Sequence, residues 1–122
     1  MSKPRSKLIN YASREMRTVR GFTTALHFGR QAKHMSGQPN YDPTKSIVTV
    51  GIKELQRLVE LKAGTGRWRG TNKEVVDFGR IIGTYRDGDT GQEFETTRAT
   101  IHYSKAGAHV VPAMPSRVKR TR

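Results

Sequence analysis

The sequence contains no cysteine, and this absence excludes several classes of protein at once. Disulfide-stapled folds, thiol nucleophiles and cysteine-based zinc sites are all ruled out. Acidic residues are also scarce, with 10 Asp and Glu against 23 Lys and Arg in 122 residues. No apolar run approaches the roughly 20 residues that a membrane-spanning helix needs. We therefore expect no membrane partner.

The charge balance is the strongest compositional signal. The excess of Lys and Arg gives a formal net charge of +13. An excess of this size attracts polyanions through its long-range field and through the release of counterions. Nucleic acid is therefore the first partner to consider. A basic domain that is merely soluble, or a basic face that receives an acidic protein, would show the same charge.

The length favours a single α+β domain with one modest core. Apolar residues at helical spacing predict helices over residues 6–20 and from residue 52 to a stop at Gly64, with a shorter helix over residues 30–35. Short β-branched or alternating runs predict strands, which tight turns would join into an antiparallel meander. The predicted strands cover residues 45–50, 75–78, 81–85, 94–103 and 110–111.

The longest predicted strand has one polar face. Side chains alternate along an extended chain, so Arg98, Thr100, His102 and Ser104 project to one side. A solvent-facing sheet surface is polar too, but it is usually built from Lys, Glu and Thr. Arginine, hydroxyls and imidazole together are the groups that bind and cleave a phosphodiester.

Cleavage of RNA without a metal needs a base for the 2′-hydroxyl, an acid for the leaving oxygen and donors for the phosphoryl oxygens. Histidine serves either proton-transfer role, because its reference pKa of about 6.5 leaves both forms available near neutrality. The chain has four histidines, His27, His34, His102 and His109, and no carboxylate cluster for two divalent ions. We expect no metal or other cofactor. His27, between Leu26 and Phe28, is the histidine best read as a packing residue.

The register of the last hairpin decides whether His109 joins His102. A two-residue turn at Ala106-Gly107 puts both histidines on one face of the sheet. A three-residue turn from Lys105 to Gly107 sends His109 to the opposite face, and it suits a left-handed Gly107 better. A bulge would reverse that outcome.

Five segments of the chain together match the pattern of a known family. They are Gly29-Arg30-Gln31-Ala32-Lys33-His34, Lys45-Ser46, Gly64-Thr65-Gly66, Ile101-His102-Tyr103-Ser104-Lys105 and Gly107-Ala108-His109-Val110-Val111-Pro112. With these segments the chain resembles the polymorphic toxin type 50 domain, a C-terminal module of bacterial secreted toxins. The resemblance covers roughly residues 27 to 112, and its last block is the most specific. Arg30 stands where the family often has Lys, which keeps the charge but changes the geometry.

The resemblance implies a ribonuclease with N-terminal helices packed on a four- to five-stranded antiparallel sheet, of the barnase/EndoU/colicin/RelE-like kind. It also implies a longer parent protein that is secreted or delivered, action in the cytoplasm of the target cell, and a cognate immunity protein, which we expect to be acidic. We expect an N-terminal helical extension over residues 1–24, a nuclease domain over 25–114, a basic tail over 115–122 and a monomer when free.

The expected function is a metal-independent endoribonuclease toxin that cuts transfer, ribosomal or other RNA. His102 and His34 are the expected acid and base, and His109 is the alternate member of the pair. A non-catalytic RNA-binding module, associated with ribosomes or capsids, is the alternative. Ser104 is the remaining catalytic candidate, and the expected substrate-binding residues are Arg30, Lys33, Ser46, Thr65, Arg98, Thr100 and Lys105.

Overall fold

A computed structural model describes residues 16–35, 37 and 44–116 of the chain. Within these residues, two helices and nine short strands confirm the predicted α+β class. In chain order the elements are β1 (Thr18–Val19), β2 (Phe22–Thr23), α1 (Phe28–Ala32), β3 (Ile47–Val48), α2 (Ile52–Lys62), β4 (Arg67–Arg69), β5 (Lys73–Asp77), β6 (Gly83–Arg86), β7 (Glu93–Thr96), β8 (Arg98–His102) and β9 (His109–Pro112).

The strands form antiparallel sheets with the orders β1-β2, β3-β6-β7 and β4-β5-β8-β9. Only Thr97 separates β7 from β8, so one long segment passes from the three-stranded sheet into the four-stranded sheet. The backbone N–H groups of Phe78 and Ile82 bond to the carbonyls of Thr97 and Thr96 at this bend. The predicted simple meander is therefore wrong, because β5 pairs with β8, whereas β6 and β7 pair with each other and with β3 in a second sheet.

The N-terminal helix predicted over residues 6–20 is wrong at its C-terminal end. Strands β1 and β2 form a hairpin there, and its turn residues Arg20 and Gly21 have φ angles of 54° and 83°. Two successive left-handed residues are what a tight hairpin turn of the primed type requires. Residues 1–15, where the rest of that helix was expected, lie outside the described residues, as do residues 117–122 of the expected basic tail.

Helix α2 packs its apolar face against the inner face of the four-stranded sheet. The spacing of its buried residues Leu55, Leu58 and Val59 matches the predicted helical pattern, and they share one core with Ile101 and Val110. Burial of such side chains stabilises a fold by about 1.5–3 kcal/mol each. The four-stranded sheet is thus covered on one side by α2 and presents its other side outward.

The connection between α2 and β4 is held by a buried carboxylate. Glu74 of β5 accepts hydrogen bonds from the backbone N–H groups of Gly64 and Gly66, at 3.0 Å and 2.7 Å, and from the Tyr103 hydroxyl at 2.7 Å. Burial, together with this carboxylate, raises the pKa of Tyr103. A Cβ atom at Gly66 would lie 2.0 Å from the Val75 carbonyl oxygen. The Gly64-Thr65-Gly66 motif therefore has a structural basis.

The open edge of β9 is closed by the segment that contains α1. The buried amide of Gln31 donates to the Val110 carbonyl at 3.0 Å and accepts from the Val110 N–H at 2.7 Å. Just before the helix, the backbone of Ala25 and His27 bonds to Ala108 in the same way. Side-chain amide and backbone together replace a fifth strand and satisfy groups that an exposed edge would leave open.

Replacing Gln31 with Leu should lower the free energy of unfolding by about 2–4 kcal/mol, because a buried donor and a buried acceptor of Val110 lose their partners. Urea denaturation at neutral pH measures the change. Gln92→Leu is the matched control at an exposed glutamine and should change stability by less than about 0.5 kcal/mol. Equal effects of the two substitutions would contradict this account of the edge.

Candidate active site

Basic side chains form one row across the outer face of the four-stranded sheet. The strand registers place Arg69 opposite Lys73, Lys73 opposite His102, and His102 opposite His109. Directly opposed residues in an antiparallel sheet have their side chains on the same face, with Cβ atoms about 5 Å apart. The sheet therefore presents four cationic or titratable groups in a line.

The row ends in three stacked imidazoles. The rings of His102 and His109 lie 4.7 Å apart, centroid to centroid, at 10° to each other. The ring of His34 stacks on the other side of His109 at 6.1 Å and 15°. The three histidines that were predicted to carry the chemistry are thus brought together, with His109 in the middle.

His34 is fixed in place by strand β3 and the residue before it. Its carbonyl accepts from the Val48 N–H at 2.6 Å, and its Nδ1 lies 3.0 Å from the Ser46 carbonyl oxygen. A carbonyl oxygen only accepts, so Nδ1 carries a proton and Nε2 is the nitrogen at which His34 gains or loses one. Ser46, which was expected to bind substrate, thus orients His34 through its carbonyl, and its hydroxyl accepts from the Arg86 N–H.

Burial and neighbouring charge favour the neutral forms of His109 and His102. Burial, followed by the charges of His102 and His34, lowers the pKa of His109 to about 4. The Nδ1 atom of His109 is buried and has no hydrogen-bond partner among the described residues. Burial, followed by the charges of Lys73 and His34, also lowers the pKa of His102. A proton in this cluster is therefore disfavoured on His109 above all.

The hairpin turn differs from both predicted alternatives. It consists of Lys105 and Ala106 alone, and paired backbone bonds of 3.1 Å join Ser104 to Gly107. The Ser104 hydroxyl accepts from the Ala106 N–H and donates to the Gly107 carbonyl, which favours this shorter turn. The favoured three-residue turn is wrong, and with it the expectation that His109 faces away from His102.

Ser104 also receives a side chain from α1. The Arg30 guanidinium donates to its hydroxyl oxygen at 2.9 Å. Arg30 is exposed, and its charge is one of those that lower the pKa of His109. The guanidinium therefore lies on the imidazole side of the hairpin, where it can bind an anion beside the rings.

The polar face predicted for β8 is confirmed for Arg98, Thr100 and His102. Arg98, Thr100 and His102 are half-buried on the outer face, whereas Ala99 and Ile101 are buried. Thr100 and His102 line the same open pocket. Arg98 lies at the far end of the strand and donates to the Met114 carbonyl at 3.3 Å, which gives it a structural contact.

The other predicted binding residues occupy separate positions. Lys33 and Lys105 are exposed, the first at the C-terminal end of α1 and the second in the hairpin turn. Thr65 is exposed and donates its hydroxyl to the Lys62 carbonyl at 2.7 Å, which ties it to the end of α2. His27 caps α1, because its Nδ1 accepts from the Arg30 N–H, and it is 8% exposed as a packing residue should be.

Sequence reasoning missed Arg69 and Lys73. Together with Thr100 and His102 they line an open pocket of about 330 Å³. The signal was a Gly-Thr-Asn cluster between two alternating runs, which is typical of a hairpin and places Arg69 opposite Lys73. Their position beside His102 depends on the β5–β8 pairing, which joins distant parts of the chain.

A family model described as Bacterial toxin 50 matches residues 26–112, well over half of the chain. The match contains all three stacked histidines and both newly found basic residues. A comparison with curated proteins gave no match. None of the described helices is long and apolar enough to cross a membrane. Within residues 16–35, 37 and 44–116, no group of three or more His, Cys, Asp or Glu is placed to hold a metal ion.

The ring of His109 should titrate near pH 4, well below a free histidine at about 6.5, because burial and the adjacent rings oppose its charge. A pH series of ¹H–¹³C NMR spectra measures this, with His109→Asn used to assign the resonance. Because the folded-state pKa is the lower one, the stability from neutral His109 is complete above pH 6.5 and is lost towards pH 4. A His109 resonance that titrates near 6.5 would contradict the buried stack.

Proposed function

Because the chain belongs to the Bacterial toxin 50 family, we propose that this toxin domain is an endoribonuclease that cleaves RNA by histidine acid/base catalysis without a metal ion. In the proposed reaction the 2′-oxygen attacks phosphorus and the bond to the 5′-oxygen breaks. The 2′-hydroxyl proton goes to a base, and an acid supplies a proton to the departing oxygen. The products are a 2′,3′-cyclic phosphate and a 5′-hydroxyl.

One observation carries the proposal, namely the parallel arrangement of His34, His109 and His102. Attack and departure at phosphorus take place on opposite sides, so the base and the acid must stand apart and face one phosphate between them. Two histidines separated by a third supply that separation. Surrounding Lys and Arg side chains supply the charge that draws in the phosphate.

The environments of the outer two histidines suggest their roles. Burial and the charge of Lys73 lower the pKa of His102, so that it is neutral at pH 7 and suits the base. The Ser46 carbonyl accepts from Nδ1 of His34, which leaves Nε2 as the nitrogen that would deliver a proton, so we assign His34 as the acid. His109 remains neutral between them.

Charge on the phosphoryl oxygens would be stabilised from the α1 side. Arg30 offers a planar set of donors beside the rings, and its bond to Ser104 holds it there. Thr100 adds a hydroxyl on the other side of His102. Lys33 and Lys105, which are exposed near the same hairpin and helix end, would act at longer range on the RNA backbone.

The family also supports a wider setting for this activity. We propose that the domain is delivered to a target cell, acts on RNA in its cytoplasm, and is inhibited in the producer by an acidic immunity protein. The net charge of +13 and the basic row favour an acidic partner. The measurement is whether the immunity protein suppresses the RNA cleavage that is described below.

The purified domain should cleave total bacterial RNA in the presence of EDTA and leave 2′,3′-cyclic phosphate and 5′-hydroxyl ends. The reason is that imidazoles, and not a metal ion, are proposed to move the protons. Gel analysis of the RNA and enzymatic analysis of its ends measure the outcome. Cleavage that appears only when a divalent ion is added would exclude the proposed mechanism.

His102→Ala and His34→Ala should each slow cleavage by roughly 100-fold or more, since each removes one proton-transfer group. They should also change different limbs of the pH profile of kcat/KM. The wild type should gain activity as the base loses its proton below pH 6.5 and lose activity as the acid is deprotonated at higher pH. His102→Ala should lack the rising limb, and His34→Ala should lack the falling limb.

His27→Asn is the matched control, because asparagine preserves the helix cap and His27 has a structural role. It should retain activity within about twofold of wild type. If RNA is bound but not cut by any of these proteins, and His102→Ala leaves the affinity unchanged, the result favours the non-catalytic RNA-binding alternative.

A further inference from the structure

We propose that Arg69 and Lys73, in the open pocket that they share with Thr100 and His102, form a subsite for the RNA phosphate next to the scissile one. The proposal rests on the proposed function, since it takes the scissile phosphate to lie at the three imidazoles. It adds a direction to substrate binding. The RNA strand would run across the four β-strands, along the row from His109 towards Arg69.

The register of the sheet supplies the geometry. Lys73 lies one strand away from His102, and Arg69 lies two strands away, on the same outer face. With strands about 4.8 Å apart, these spacings amount to about 5 Å and 10 Å. Long basic side chains on these positions reach a phosphate one nucleotide from His102, while the pocket leaves about 330 Å³ for it.

The two charged side chains that line the pocket, Arg69 and Lys73, are both positive. Both basic residues are exposed, and no acidic partner forms an ion pair with either of them among the described residues. Glu74, which follows Lys73 in sequence, points to the inner face, where it is buried against Tyr103. Asp77, the acidic residue of β5 on the outer face, lies at the other end of the strand, opposite Arg98.

An anion in this pocket would also affect the adjacent histidine. The charge of Lys73 is one cause of the lowered pKa of His102. A phosphate on Lys73 offsets that charge and lets His102 accept a proton more readily. A phosphate in the subsite would thus raise the pKa of His102, the proposed base, as well as add to affinity. Two basic side chains that only contact solvent would have neither effect.

The test uses a deoxyoligonucleotide with one central ribonucleotide, so that only one bond can be cut by 2′-hydroxyl attack. All four bases are used at that position. In two further versions the phosphate on the 5′ or on the 3′ side of the scissile phosphate is an uncharged methylphosphonate. One of the two replacements should lower kcat/KM of the wild type roughly tenfold, the loss expected for one charged contact.

The double variant carries both Lys73→Gln and Arg69→Gln. In this variant the same replacement should change kcat/KM less than twofold, because the contact is already missing. Lys53→Gln is the control, since Lys53 is exposed on α2, on the opposite side of the sheet, and should behave as wild type. If the replacement costs the double variant as much as it costs the wild type, the subsite is overturned.

Binding separates this proposal from the proposed function. The same oligonucleotides with a 2′-O-methyl group on the ribonucleotide cannot be cut, and fluorescence anisotropy measures their affinity. A failure of wild type to cut the unmodified substrate counts against the ribonuclease, yet a tenfold loss of affinity on one replacement, absent in the double variant, still supports the subsite. Equal affinities for all three versions would refute the subsite, whether or not cleavage occurs.

Discussion

The candidate site depends on the register between β8 and β9, which sets His102 directly opposite His109. A slip of one residue in either strand would turn one of these rings into the core and bring an apolar side chain out. The Lys105-Ala106 turn fixes the register at one end, and the Ser104 hydroxyl closes that turn. Apolar residues on the other face, Ile101 and Val110, resist a slip because both are fully buried.

The segment that covers the β9 edge also places His34 against His109. The amide of Gln31 pairs with Val110, the residue after His109, and three residues later His34 reaches the His109 ring. Val48 of strand β3 then donates to the His34 carbonyl, and the carbonyl of Ser46, the residue before the strand, accepts from the His34 ring. The α1 segment satisfies the backbone groups at the β9 edge and also positions His34. Stability and site geometry are therefore coupled through α1.

Local patterns in the sequence predicted what depends on neighbouring residues. The spacing of Leu55, Leu58 and Val59 identified α2, and alternation identified the outer face of β8. Patterns could not supply the pairing of β5 with β8, because that contact is made across a whole hairpin. Lys73 therefore stayed hidden, although its distance from His102 is only one strand. The turn at Ser104 was misread because the glycine signal at Gly107 outweighed a serine hydroxyl that bonds its own turn.

The strong positive charge of the domain and its neutral histidines belong together. Burial, followed by neighbouring positive charge, lowers the pKa of His102 and of His109 and so disfavours a proton on either ring. A bound phosphodiester carries negative charge and reduces that penalty at the moment when an imidazole must accept a proton. In the proposed function, the same Lys and Arg side chains would attract the RNA from a distance. In the proposed reaction, the charge of Lys73 would therefore help to attract the RNA and would add to burial in keeping His102 neutral, which would link affinity to catalysis through one residue.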